Sequence, residues 1–192
     1  MTVPLLAALR AAHSALEAEA VPHAIAGGLA VNVWGRPRET VDVDLALAVS
    51  SIDELTSLVM RIQPRGFLTL DPRPLVFSRA WVGRLALDPD IARGLGRPIT
   101  VDLVRPAGRG GDAWSRALLD RAPEVEVFGE TLRVVAPEDL VLFKLLVRED
   151  RGYDLEDARS VIDRVGRSLD SRYLVSTALR LGVRGRLRKL GI

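Results

Sequence analysis

Hydrophobic and polar residues alternate most regularly between residues 41 and 49, where Val41, Val43, Leu45, Leu47 and Val49 interleave with Asp42, Asp44, Ala46 and Ala48. A period of two predicts a β-strand with both aspartates on one face. Upstream the period changes. Leu5, Leu6, Leu9 and Leu16 recur at helical spacing behind Pro4, predicting an amphipathic helix over 4–20 that Pro22 ends. Residues 23–26 read as a short strand, Gly27-Gly28 as a turn, and 29–34 as a short helix stopped by Gly35 and Pro37. Ser51 caps a further helix whose apolar stripe is Leu55, Leu58, Val59 and Ile62.

The stretch 64–98 is rich in Pro, Gly and Arg and carries a weaker pattern, with short strands at 67–70 and 75–77. Residues 99–104 give a firmer strand that sets Asp102 among apolar neighbours. A turn at 108–111 leads to a helix over 113–121, and 125–128 with 132–135 form a hairpin around Gly129-Glu130. Beyond residue 136 no strand pattern recurs, and helices are expected at 137–148, 154–166, 170–181 and 184–190. The chain therefore reads as α+β, an α/β portion over 1–136 with a helical portion over 137–192 packed on it.

Composition narrows the chemistry. With 192 residues, 48% hydrophobic and 27% charged, the chain is an ordinary globular protein able to bury a core. Neither a secretory signal nor a membrane span stands out, so a cytoplasmic location is expected. There is no cysteine, and the two histidines are too few for a His-rich zinc centre, so any metal is expected on carboxylates. Net charge is +2, yet 25 of the 27 basic residues are arginine, the exceptions being Lys144 and Lys189. Arginine suits bidentate phosphate contacts, although GC-rich coding gives the same excess.

Two carboxylates at i and i+2 of a strand have Cα atoms about 6.5–7 Å apart on one face, so their oxygens can converge on a cation. Mg²⁺ takes oxygen ligands at about 2.0–2.1 Å and commonly shares one or two carboxylates with substrate phosphates. Taken alone, Asp42 and Asp44 equally suit the polar face of an edge strand. Gly27 and Gly28 lie where absent side chains let a phosphate approach backbone N–H groups at a helix N-terminus. Arg36, Arg38 and Thr40 stand just upstream of the aspartates as donors to a triphosphate, and Asp102 is a candidate third ligand and proton acceptor. Lys144 lies in the most apolar helix, where it must either meet an anion or extend its ammonium to the surface. Asp154 and Asp157 share a face of the next helix, a placement that the helix dipole also favours.

In order along the chain, AIAGGLAVNVWGRPRETVDVDLALAV resembles the signature of the polymerase-β-like nucleotidyltransferase superfamily, a Gly-Gly or Gly-Ser turn and then an Asp-x-Asp strand. Thirteen residues separate Gly28 from Asp42, as in that pattern. With ITVDLVRP around Asp102 and VVAPEDLVLFKLLVREDRGYDLEDARSVI after it, the set resembles the AbiEii and MenT group of toxin-type nucleotidyltransferases over about residues 21–190. The resemblance implies a small mixed sheet with a helical C-terminal portion, and two Mg²⁺ ions on Asp42, Asp44 and Asp102. It also implies nucleotide contacts from Lys144 and Asp157, and transfer of a nucleotide from NTP to an acceptor hydroxyl. The acceptor it points to is an RNA or tRNA 3′ end, with an antitoxin as a candidate partner. The group often has lysine before the acid that matches Asp154, where this chain has Tyr153.

Two other functions compete. Modification of an aminoglycoside or lincosamide hydroxyl needs an acidic pocket, for which Glu138, Asp139, Asp154 and Asp157 are available. A non-catalytic nucleotide- or RNA-binding module fits an intact three-carboxylate set poorly. The remaining features read plainly: Gly108 to Gly111 lacks the Lys-Ser/Thr of a P-loop and is a turn. The basic tail with Arg180, Arg184, Arg186, Arg188 and Lys189 suits RNA phosphates or a solvated face, and Trp34, Trp81 and Trp114 read as core or rim. His13, with no carboxylate or cysteine at ligand spacing, reads as structural.

Overall fold

The computed structural model describes residues 3–69, 71–88, 99–147 and 152–192. Its element order is α1 (Val3–Ala18), β1 (His23–Ile25), α2 (Gly27–Trp34), β2 (Asp42–Leu47), α3 (Ile52–Ile62), β3 (Phe67–Leu68), β4 (Leu75–Val76), β5 (Ala80–Leu87) and β6 (Thr100–Pro106). There follow α4 (Gly111–Arg121), the hairpin β7 (Glu124–Val127) and β8 (Glu130–Arg133), then α5 (Pro137–Val147), α6 (Gly152–Val165), α7 (Ser171–Arg180) and α8 (Arg184–Arg188). The expected ends at Leu70 and Arg148 lie outside the described residues.

The main sheet runs β1-β2-β6-β5-β3, with β4 pairing a second stretch of β5. It is mixed: β2 and β6 are parallel, and the other pairs are antiparallel. With the helices around it, this is the α+β architecture expected. Along β2, Val43, Leu45 and Leu47 are fully buried, while Asp42 and Asp44 on the opposite face stay partly accessible. The strand is interior, between β1 and β6, which removes the edge-strand alternative for Asp42 and Asp44. Ala46, next along the aspartates' face, is fully buried.

β5 is the element that the weak pattern over 64–98 concealed. Its eight residues form the central strand's other partner, and Gly83 is required because a Cβ there would stand 2.7 Å from Val59 and 3.3 Å from Leu55 of α3. That close approach seats α3 on the apolar face of the sheet. Ser51 caps α3, accepting from Glu54 N–H at 3.0 Å, while Glu54 accepts in return from Ser50 N–H at 2.6 Å. The β7–β8 hairpin turns at Phe128 and Gly129, both at positive φ, one residue earlier than the sequence suggests.

The helical end is tied to the sheet domain by a buried polar knot. Asp139 of α5 is fully buried and accepts from Trp114 Nε1 (2.8 Å), Arg121 Nε (2.9 Å) and Tyr173 OH (2.5 Å), so one carboxylate joins α4, α5 and α7. Glu138 accepts from Arg121 and from Asp170 N–H. The sequence offers both acids to a drug-binding pocket; in the fold they are spent on packing.

Candidate active site

Register builds the site. Asp44 of β2 lies beside Asp102 of β6, which lies beside Arg84 of β5, one row across three adjacent strands. Because side chains alternate across a sheet, this row and Asp42 two residues earlier share one face. A cleft of about 660 Å³ opens above them, walled by Gly27, Gly28, Arg38, Thr40, Lys144 and Asp154 among others. Its size falls within the range of small-molecule sites.

Gly27 and Gly28 are the first residues of α2, not a free turn. Gly27 has φ +55, and a Cβ on it would stand 1.7 Å from Asp44 Oδ2; one on Gly28 would stand 2.4 Å from Thr40 Oγ1. The space vacated by the two missing side chains is thus taken first by Asp44 and Thr40. Gly28 N–H donates to the Asp44 carboxylate, and Thr40 Oγ1 donates to Asp42 Oδ1 at 3.1 Å. The glycines and Thr40 therefore hold the aspartates in place as well as lining the cleft.

Desolvation, then the charges of Asp42 and Asp102, push the Asp44 carboxyl up to about 7, with Lys144 and the Gly28 N–H pulling the other way. Although part of Asp44 still opens to the cleft, its carboxylate is largely surrounded by protein and by other acids. Among the described residues, five acidic and three basic side chains line the cleft, an excess of two acidic groups. An oxygen-only donor set with surplus negative charge is what a hard divalent cation requires. Asp42, Asp44 and Asp102 offer such donors from one face of the sheet.

Among the described residues, each of the three basic groups of the cleft has a carboxylate partner. Arg84 grips Asp102 through Nε to Oδ1 at 2.8 Å and a terminal nitrogen to Oδ2 at 2.7 Å. Arg38 grips Asp157 in the same way, at 2.8 and 2.7 Å. Lys144 Nζ sits 3.1 Å from Asp154 Oδ1 and 2.9 Å from Asp157 Oδ2. Burial works against the Lys144 charge, yet the two aspartates outweigh it and raise its pKa. Asp157 is likewise disfavoured as an anion by burial, but Arg38 and Lys144 hold its carboxyl below the usual range. The anion that the position of Lys144 demands is therefore supplied by α6, and Asp154, whose role the sequence leaves open, is half of it.

Arg84 is the site residue that sequence reasoning misses. The available signal was the alternation Val82, Arg84, Ala86 against Gly83, Leu85, Leu87. Arg36, by contrast, lines a separate groove with Glu156, Arg159 and Ser160. In the basic tail, Arg184 donates to Ile192 O at 2.5 Å and Arg186 to Leu145 O, so both cap backbone instead of facing outward unpaired. Trp114 and Trp34 spend their N–H groups on Asp139 and on Val135 O, in keeping with core and rim roles. His13 needs correction: Glu17 follows it by one helical turn and His23 folds against both.

No protein-family model matches the sequence, and no curated protein matches it. Solved structures do. An antigenic nucleotidyltransferase-like protein from Paracoccidioides brasiliensis superposes with a TM-score of 0.53 over 99% of this chain and 93% of its own, at 19% identity. The fold is that of the nucleotidyltransferase-like proteins. A protein of Thermotoga maritima assigned as a nucleotidyltransferase gives 0.51 over 76% of this chain and 86% of its own, at 21% identity. Among the described residues, no helix is long and apolar enough to cross a membrane.

Proposed function

We propose that this chain is a metal-dependent nucleotidyltransferase that moves a nucleoside monophosphate from NTP to an acceptor hydroxyl and releases pyrophosphate. The observation that carries the reading is the Asp44–Asp102 register pair with Asp42 beside it, three carboxylates crowded at the floor of a nucleotide-sized cleft. Asp42, Asp44 and Asp102 would hold Mg²⁺, two ions as in the resembling group, which supplies charge neutralisation to the triphosphate and acidity to the acceptor hydroxyl. The chain's own residues do the positioning. Gly28 N–H and Thr40 fix the directions of Asp44 and Asp42, and Arg84 fixes Asp102. Asp102 accepts the proton of the attacking hydroxyl as the oxygen attacks the α-phosphorus and the bond to pyrophosphate breaks. Lys144 and Arg38, held in place by Asp154 and Asp157, present N–H donors toward the cleft wall for the triphosphate, their charges balanced by the two aspartates.

For the acceptor, Phe77 and Tyr153 are exposed on the cleft lining, flat faces on which nucleobases stack. That supports a nucleic-acid 3′ end as acceptor, while of the four acids available to a cationic drug Glu138 and Asp139 are locked in the core knot; the preference for tRNA rests on the family resemblance. Protein with Mg²⁺ and α-labelled NTP should label total RNA, and tRNA preferentially, with labelling that falls as salt rises. Labelling confined to aminoglycosides or lincosamides transfers the reading to those acceptors.

A further inference from the structure

On the sheet edge away from the cleft, α1 and β1 bring two imidazoles and a carboxylate together. Glu17 lies one turn after His13 on α1, so both side chains leave the same helix face. His23, the first residue of β1, folds back to meet them, and ligand-capable atoms of all three lie within 4.8 Å of one another. His23 is buried, and its Nδ1 donates to Val21 O at 2.8 Å. A carbonyl can only accept, so Nδ1 carries the proton and the lone pair of Nε2 points at His13 Nδ1, 2.9 Å away. A backbone carbonyl on the far ring nitrogen is the usual means of orienting a metal-binding imidazole.

We propose that His13, Glu17 and His23 form a zinc site that staples α1 to β1. Two nitrogens and one carboxylate oxygen are a donor set suited to Zn²⁺, and zinc binds without redox chemistry. Nitrogens at about 2.0–2.1 Å on a tetrahedral ion stand roughly 3.3 Å apart, so the rings must separate by about 0.4 Å and also turn, because the His23 Nε2 lone pair now points at His13 Nδ1 and not at a shared centre. On binding, the proton on His13 Nδ1 leaves to water or reappears on Nε2, freeing the Nδ1 lone pair for the ion. Glu17 Oε1 lies 4.0 Å from His23 Nδ1, the nitrogen turned to Val21 O, so the Glu17 side chain, 65% exposed, must rotate toward Nε2 to reach the ion. The three groups line a cavity of about 40 Å³ shared with Leu9, Ile25 and Leu45, enough for one water as fourth ligand and too small for a substrate. Arg133 also lines it and opposes a cation, but its guanidinium is engaged by Leu119 O, and Glu17 offsets one charge of the ion.

The test uses the full chain carrying D42N and D44N, which removes the cleft's carboxylate pair as a competing zinc site. Stripped of metal and titrated with Zn²⁺ by calorimetry, it should take up one equivalent, and its melting temperature should rise with zinc concentration. His13→Gln should weaken zinc binding at least tenfold and Glu17→Gln severalfold, with far-ultraviolet circular dichroism unchanged. Glu17 is exposed, so its variant keeps the test intact if the His13 variant folds poorly. Absence of zinc uptake, or uptake equal in the parent and both variants, overturns the proposal.

Discussion

Arg84 grips Asp102 across neighbouring strands with two parallel hydrogen bonds, so the third carboxylate of the cleft carries its own counter-ion. Arg84 has its pKa raised chiefly by the bond to Asp102, despite the desolvation that opposes it, and Asp42 and Asp44 contribute further. The guanidinium thus partly neutralises the acid cluster when no divalent cation is there to do so. Arg84→Ala should lower stability in chelator by about 1 kcal/mol, a modest value because the side chain is half exposed, and by less in Mg²⁺. Equal losses in the two buffers, read by denaturant titration, would mean that Arg84 serves only the fold.

Asp44 should make the metal-free protein pH-sensitive. Its carboxyl rises from 3.8 to about 7 on folding, so the folded state prefers the neutral acid. The resulting stability is full below about pH 4 and is lost as pH climbs through 7. Asp44→Asn should flatten that part of the stability curve in chelator and leave the protein at least as stable as the parent at pH 8. A clearly lower melting temperature at pH 8 would make Asp44 a structural residue.

Lys144→Ala removes one cation from the pair that holds Asp157 and leaves Arg38 alone with it. Stability should fall by about 2 kcal/mol, since a buried carboxylate loses a charged partner. Nucleotide transfer should fall by more than that loss of folded protein explains. Full stability with reduced NTP use would instead place the ammonium on substrate alone.

Gly27→Ala is a sharper test of the site's geometry. Positive φ costs a non-glycine residue roughly 1–2 kcal/mol, and the new methyl would fall on Asp44 Oδ2. Transfer should be lost while far-ultraviolet circular dichroism stays that of a folded protein. Retained activity would show that Asp44 need not occupy its present position.

Much of this site is legible in the sequence because it rests on local pattern. The alternation through Val43 and Leu45 gives β2 and the shared face of Asp42 and Asp44 directly, and the run around Asp102 gives β6. β5 hides because its partners are set by register and not by its own composition: Gly83 is there for α3 and Arg84 for Asp102. The glycine pair is visible but not what fills its space, since Asp44 reaches Gly27 from another strand. The apolar helix leaves Lys144 an anion or the surface; that it meets Asp154 and Asp157 follows only from how α6 packs on α5. The same holds for His23, ten residues beyond His13 and joined to it through the turn into β1.

In the proposed reaction Asp42, Asp44 and Asp102 form the metal-bearing centre of a nucleotidyl transfer. It is tested most directly by incubating the protein with Mg²⁺, tRNA and NTP labelled at either the α or the γ phosphorus, alongside Asp44→Asn. The α label should appear on the RNA and the γ label only in pyrophosphate, and the variant, folded as the parent is, should transfer neither. Transfer of γ label to the acceptor, or undiminished α transfer by Asp44→Asn, would contradict it.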